Sequence, residues 1–369
     1  MVIGIVCYPT FGGSGVLATE LGIELSKKGY EIHFITYNQP VKLELLSNKV
    51  HFHEVEVPNY PLFHYPPYEL ALSSRLVGIV KKYKIDILHV HYAIPHAYAA
   101  LMAKQMLNAQ NINIPVVTTL HGTDITLVGS HPSYKTAVEF SINNSDYVTS
   151  VSKSLKNDTL SLFSIKQKIE VIPNFVNLDK YSRKSSKNNL SNKNHKIITH
   201  VSNFRKVKRI MDIIEIFNGI QQQIPAKLFM IGDGPEKNKA EKKANELGIK
   251  DKITFFGKSN ETNKILSFSD LFILPSEIES FGLSALEAMA ANVPVISTNA
   301  GGIPELNTDN FSGILSNIGD VDKMIKDSIM ILSDEKILNN FKTNARKRAE
   351  DFDIHKIVPL YEKIYNKLI

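Results

Sequence analysis

Short apolar runs alternate along this chain with longer stretches whose apolar residues recur every three or four positions. Val2–Cys7, Glu31–Tyr37, Ile85–Val90, Pro115–Leu120 and Tyr147–Val151 are continuous enough to predict buried strands. Between them, Val16–Lys28 places Leu17, Leu21 and Leu25 on one helical face and meets a stop at Gly29, and Glu69–Tyr83 repeats the pattern. A further strand is expected near His51–Val57, and a short one with a proline turn at Ile169–Asn177. The alternation restarts at Lys196–Val201 and continues through Lys227–Ile231, Ile253–Phe256, Leu271–Leu274 and Val293–Ser297. Helices are predicted near Asp320–Leu332, Glu335–Asp351 and Ile354–Leu368. Strand-then-helix repetition predicts an α/β protein with doubly wound sheets. Ser182–His195, rich in Ser, Asn and Lys, has almost nothing to bury and predicts an exposed connection.

The 369 residues suffice for two domains, and 43% hydrophobic with 22% charged residues is the balance of a water-soluble chain. No apolar run approaches the length of a membrane span. The first residues lack a basic leader and a small-residue cleavage site, and the lone Cys7 fits a reducing compartment, so a cytoplasmic protein is expected. The net charge of +6 suits anionic partners. The lysines are spread along the chain without interleaved aromatic residues, so small anions are favoured over nucleic acid.

Candidate chemistry gathers where strands end. Gly13-Ser14-Gly15 lies between the first strand and its helix, a turn whose backbone an anion can approach closely. It matches neither the dinucleotide fingerprint nor a P-loop. His91 and Tyr92 follow one strand, His121-Gly122-Thr123-Asp124 another, and Lys153 a third. Each has a structural alternative: Asp124 in particular can cap the next segment. His121 and Asp124 are too sparse a set to predict a metal, and no metal site is expected. The Tyr60–Tyr68 loop, rich in proline and aromatic residues, reads first as a packed loop and second as a lid. In the second half, Arg205 and Lys208 sit at a strand end opening a helix, where cations oppose the helix dipole unless an anion binds. Gly232-Asp233-Gly234-Pro235-Glu236 and Gly257-Lys258 close the next two strands, and Gly301-Gly302 suggests another phosphate-side turn. Between the last two strands lies Glu279-Ser280-Phe281-Gly282-Leu283-Ser284-Ala285-Leu286-Glu287, with a helix opening near Phe281 or Gly282. Its free amides make an anion site, and its two carboxylates suit hydroxyl groups.

Glu-x7-Glu after a strand, with Ser-Phe-Gly between, resembles the signature of retaining glycosyltransferases of family 4 and the GT-B fold. Gly-Gly-Ser-Gly, His-Gly-x-Asp and Gly-Asp-Gly-Pro-Glu at their places strengthen the resemblance, which covers most of the chain. It implies two Rossmann-like domains facing a cleft, with the last helix crossing back to the first domain. The first would comprise residues 1–170 and 353–369 and bind the acceptor; the second, residues 171–352, would bind the nucleotide sugar. Glu279 would hold the donor sugar, and Glu287 the ribose. Arg205 and Lys208 would hold the diphosphate, and His121 would lie beside the sugar. Gly13, Asn203, Gly234, Lys258, Phe281, Gly282 and Leu283 would complete the donor site. Where the wider family has an Arg before the Lys, this chain has Asn203, with Arg205 two residues on.

The opening Gly4–Val16, His91–His96 and His200–Arg205 resemble one subfamily, acting at the first step of bacillithiol biosynthesis. That likeness implies UDP-N-acetylglucosamine as donor and L-malate as acceptor, no cofactor, and homo-oligomerisation as an option. Gly13, Ser14, Gly15, Tyr92, Thr119 and Lys153 would hold malate. Alternatives are a lipid or sugar acceptor, and a UDP-N-acetylglucosamine 2-epimerase.

Overall fold

The computed structural model describes residues 1–10, 13–40, 43, 48–59, 61–181 and 195–369. All but the last residue of the expected connection Ser182–His195 lies outside them. The chain divides into two compact units, Met1–Asn174 with Ile354–Ile369, and Phe175–Asp353. The last helix, Ile354–Leu368, therefore belongs to the first unit.

In the first unit seven strands pair in the order β3-β2-β1-β4-β5-β6-β7. They are β1 Val2–Val6, β2 Glu31–Thr36, β3 Val50–Glu54, β4 Ile87–His91, β5 Val116–Leu120, β6 Tyr147–Ser150 and β7 Ile169–Val171. Every pair is parallel. Parallel strands need covered faces, which is why β4 and β5 are buried along their whole length. Leu72, Leu76, Ile79 and Val80 of the helix Tyr68–Tyr83 pack with Leu88 and Val90 beneath them.

The second unit repeats the plan with six strands in the order β10-β9-β8-β11-β12-β13. These are β8 Lys196–Val201, β9 Ala226–Ile231, β10 Ile253–Gly257, β11 Leu271–Leu274, β12 Val295–Thr298 and β13 Gly313–Ser316. They too pair only in parallel. Its core joins Ile213, Ile214 and Phe217 of the helix Ile210–Gln221 to Leu228, Leu271 and Ile296 of the sheet. Strand β13 has no counterpart among the sequence expectations; Gly313–Ser316 offers only two apolar residues between a glycine and a serine. Strand β12 begins two residues later than expected, after Pro294, which cannot donate to the ladder.

The final helix is anchored by polar contacts inside the first unit. The buried Tyr365 hydroxyl and His89 Nδ1 share a 2.7 Å hydrogen bond, and Tyr361 packs against the same imidazole with 5.2 Å between ring centroids. Tyr365→Phe is expected to destabilise the protein by about 1–3 kcal/mol, because the His89 nitrogen stays buried without its partner. Tyr365→Ala should cost about 3–5 kcal/mol, as for other large buried aromatic side chains. Urea unfolding followed by circular dichroism measures both.

Candidate active site

In each sheet the strand order reverses direction beside the first strand, between β1 and β4 and between β8 and β11. Open parallel sheets bind ligands outside the carboxyl ends of strands at such switch points. Each switch point is spanned by a side-chain hydrogen bond between the loops that flank it.

In the first unit that bond joins Ser14 Oγ to the Tyr92 hydroxyl, 2.6 Å apart. Ser14 opens the helix Gly13–Lys27, and a Cβ at Gly15 would lie 2.3 Å from the Tyr8 carbonyl oxygen. Glycine is therefore needed for the helix start to sit on the strand's exit. Tyr92 has a positive φ of 86° and leads into a tight turn, Ala93–Ala97. Its ring lies edge-on to Tyr8 at 5.3 Å and tilted to His121 at 5.1 Å.

Below these rings runs a column of buried imidazoles. His89 stacks on His91 at 4.6 Å, and His91 Nδ1 shares a 2.8 Å hydrogen bond with His121 Nε2. His96 donates from Nδ1 to the His91 carbonyl at 2.5 Å. Among the described residues, His91 Nε2 and His96 Nε2 are buried without a hydrogen-bond partner. Burial pushes His89 and His121 down to about 3 and His96 to about 4, so the column is neutral at pH 7.

Asp124 is also buried, and its carboxylate accepts from the backbone amides of Ala93, Gly122 and His121 at 2.9–3.2 Å. Burial raises it to about 6 against the opposing pull of these bonds. These bonds tie the loops after β4 and β5 together and do not cap the following turn, whose start has no side-chain cap.

The structure corrects two other expectations in this unit. Thr119 is 1% exposed, and its hydroxyl is bonded to His89 Nε2 and Thr149 Oγ1, both at 2.8 Å. Its side chain belongs to the sheet interior and is not available to hold an acceptor. Of the Tyr60–Tyr68 loop, whose first residue lies outside the described ones, Pro61–Pro66 does not pack inward: Leu62 and Tyr65 are 81% and 79% exposed. Lys153 is exposed at the first position of the helix Lys153–Leu162, beyond the carboxyl end of β6.

In the second unit Lys208 Nζ donates to Glu279 Oε2 at 2.5 Å, with both side chains largely shielded from water. Lys208 follows β8 and Glu279 follows β11, so the ion pair bridges the switch point. Arg205 starts the same turn and is exposed, without an ion pair among the described residues. Asn203 beside it is exposed too, whereas Phe204 between them is fully buried. Arg209 is held within the unit by Asp212 at 2.6 Å.

The Gly232–Glu236 loop folds against this segment. Phe204 donates its amide to the Asp233 carbonyl at 3.0 Å, and a Cβ on Gly234 would fall 2.7 Å from the Phe204 carbonyl oxygen. Lys258 is exposed at the end of β10. Gly282 caps the helix Leu283–Ala290 with φ 97°, leaving Leu283 at its first position and Glu287 one turn on, half-buried.

Phe281 is 2% exposed and meets Phe352 edge-on at 5.5 Å, so its ring serves the core, leaving its backbone at the helix start. Gly301 and Gly302 pack against the loop that carries Glu279. A Cβ on Gly301 would stand 2.1 Å from the Glu279 carbonyl oxygen, which instead accepts from the Gly302 amide at 2.9 Å. They brace the loop that carries Glu279.

His200 is a support whose role sequence reasoning missed. It donates from Nδ1 to the Ile273 carbonyl at 2.8 Å, and Ser202 Oγ bonds its Nε2 at 2.6 Å. Burial lowers it to about 4. It fastens β8 to β11 directly beneath the Lys208–Glu279 bridge. An imidazole in a strand whose isoleucines and valine predict burial was the signal that could have found it.

The comparisons with known proteins agree with this geometry. A model described as Glycosyltransferase Family 4 matches residues 11–180, and one described as Glycosyl transferases group 1 matches residues 182–348. The N-acetyl-alpha-D-glucosaminyl L-malate synthase of Bacillus anthracis is 45% identical over 368 residues, covering 98% of this chain and 96% of that protein. The chain belongs to glycosyltransferase family 4. As a family 4 glycosyltransferase it shares its fold with solved structures along its whole length. Sucrose-phosphate synthase from Thermosynechococcus elongatus has a TM-score of 0.83 at 20% identity, covering 100% of this chain and 98% of that one. HepE of Anabaena, solved with UDP and glucose, has a TM-score of 0.81 at 17% identity, covering 99% of each chain. The two Rossmann-like domains are those of a GT-B enzyme. No helix among the described residues is long and apolar enough to cross a membrane.

The buried histidines make stability depend on pH. Each is held below the ordinary imidazole value of about 6.5, so the unfolded chain binds more protons than the native one between that value and about 3–4. Their contribution is complete above pH 6.5 and is lost as pH falls. Asp124 acts in the opposite sense, losing its contribution as pH rises toward 6, but it is one group against several. An imidazole lowered to about 4 contributes on the order of 3 kcal/mol. The melting temperature should therefore drop by about 10 °C or more between pH 7 and 4.5 in thermal scans. A flat profile would contradict the neutral column.

Proposed function

We propose that this family 4 glycosyltransferase moves N-acetylglucosamine from UDP-N-acetylglucosamine to the hydroxyl of L-malate with retention, the first step of bacillithiol biosynthesis. The observation that carries this reading is the Lys208–Glu279 ion pair at the switch point of the second sheet, in a chain 45% identical to a synthase of that name.

Lys208 has three N–H donors, so it can keep Glu279 and still reach a diphosphate oxygen. Arg205, exposed beside it, supplies a planar fork for the same oxygens. The amides of Gly282 and Leu283 at the helix start add a further anion site. Glu279 orients the sugar hydroxyls and Glu287 the ribose, with Asn203, Gly234 and Lys258 around the nucleotide. Malate's carboxylates fit the Gly13–Gly15 helix start, the Tyr92 hydroxyl and the Lys153 ammonium.

Retention needs no protein nucleophile here. As the bond from the anomeric carbon to the diphosphate breaks, malate's hydroxyl oxygen bonds the same face and its proton passes to the departing phosphate oxygen. The cations and helix amides stabilise the charge that develops on UDP, the kind of preorganised electrostatic stabilisation that usually dominates. His121, neutral at pH 7, serves as a hydrogen-bonding neighbour of the sugar and not as an acid. The chemistry invoked requires no cofactor and no metal.

Incubation with UDP-N-acetylglucosamine and a panel of acceptors, following UDP release and product mass, tests the reading. Malate should give a glycosylated product, whereas activity confined to a lipid or sugar acceptor would reject it. Glu279→Gln and Lys208→Ala should each lower kcat/KM by about 100-fold or more with the fold intact by circular dichroism. Tyr92→Phe should raise KM for malate about tenfold, the scale of one lost hydrogen bond, and leave KM for the UDP-sugar unchanged. Steady-state kinetics with each substrate varied separates these effects.

A further inference from the structure

Strand β3 forms the outer edge of the first sheet and pairs with β2 so that His33 lies opposite His51. Side chains two apart on a strand share a face, so Glu31 and His33 of β2 stand together with His51 and His53 of β3. His33 is fully buried, stacked against His51 at 4.5 Å and His53 at 5.0 Å, with Tyr83 closing the group at 4.7 Å. This cluster lies in the opening half of β2, away from the carboxyl ends that carry Tyr92 and Ser14, and the transfer reaction does not use it.

Glu31 Oε1 lies 3.2 Å from His33 Nε2 and 3.1 Å from His51 Nε2. The three atoms fall within 4.8 Å of one another. A tetrahedral zinc site with bonds of about 2.0–2.1 Å has ligand-to-ligand edges of about 3.3 Å, so the carboxylate oxygen is already spaced from both nitrogens as such a site requires. His51 Nε2 is shielded from water and near the carboxylate, yet not aligned to bond it. It has no hydrogen-bond partner among the described residues.

The second ring nitrogen of His33 shares a 2.7 Å hydrogen bond with His53 Nε2, the outer contact that fixes the tautomer of a metal-bound imidazole. The Glu31 and His51 side chains are 45% and 35% exposed, which opens one side for entry and for a water as fourth ligand.

We propose that Glu31, His33 and His51 bind a zinc-type divalent cation that fastens the edge strand β3 to β2. The two imidazole nitrogens favour such a metal over magnesium or calcium, which prefer all-oxygen ligands.

The test uses the full chain without an affinity tag, stripped with a chelator and dialysed against zinc alone. One zinc per chain is expected, together with a zinc-dependent rise in melting temperature and the visible absorption of a tetrahedral site when cobalt replaces zinc. Glu31→Gln and His51→Asn touch partly exposed side chains and should each weaken zinc binding about tenfold or more and abolish the thermal shift. His131→Asn, at another histidine of the same unit, should change neither. Failure of the wild-type chain to take up zinc, or equal uptake by the Glu31→Gln/His51→Asn double variant, would overturn the proposal.

Discussion

Parallel pairing throughout both sheets turns the carboxyl ends of all strands in a sheet to the same side. The loops that leave those ends can then approach one another although they are far apart in sequence. At the switch point the helices after the two central strands go to opposite faces, which opens a crevice between their loops. In the second unit Lys208 and Glu279 are separated by 71 positions along the chain and meet there at 2.5 Å. In the first, Ser14 and Tyr92 are separated by 78 and meet at 2.6 Å. The same topology yields a charged pair in one sheet and a neutral hydroxyl pair in the other. On the proposed function, that difference fits one unit to a leaving diphosphate and the other to an acceptor.

Precision at these loops comes from what lies beneath them. His200 locks β8 to β11 through a carbonyl and a serine. His89 similarly joins β4 to β5 through Thr119 and to the last helix through Tyr365. Buried polar networks of this sort are costly unless every member is paired, and when paired they hold a single arrangement. Asp124 shows the tension directly, since burial raises its carboxyl to about 6 although backbone amides bond it. Where pairing is incomplete, at His91 and His96, the open nitrogens lie beside Tyr92. At the far edge of the sheet His51 has a similar open nitrogen, in a group without a part in sugar transfer.

The alternating pattern of apolar runs made the strands of both sheets legible, save β13, and placed Lys208, Glu279 and Tyr92 at strand ends. Periodicity carried that information because a parallel strand must be apolar on both faces. Strand β13 was lost because Gly313–Ser316 holds only two apolar residues between a glycine and a serine, too short a run to stand out. The placement of the Thr119 side chain was misjudged because proximity to a motif does not reveal which way a side chain points. Thr119 sits on the strand that leads to His121, yet its hydroxyl turns into the sheet toward His89 and Thr149.

Residue order alone therefore determined the α/β class, the doubled strand–turn–helix plan, the helix start at Gly282 and the residue types available at each strand end. Tertiary structure decided which of those residues meet. The His33–His51 pairing depends on register between two strands, and the bracing of Glu279 by Gly301 depends on backbones approaching closely. A local pattern reports how a segment buries its own faces, whereas these contacts are set by long-range packing that no local period records.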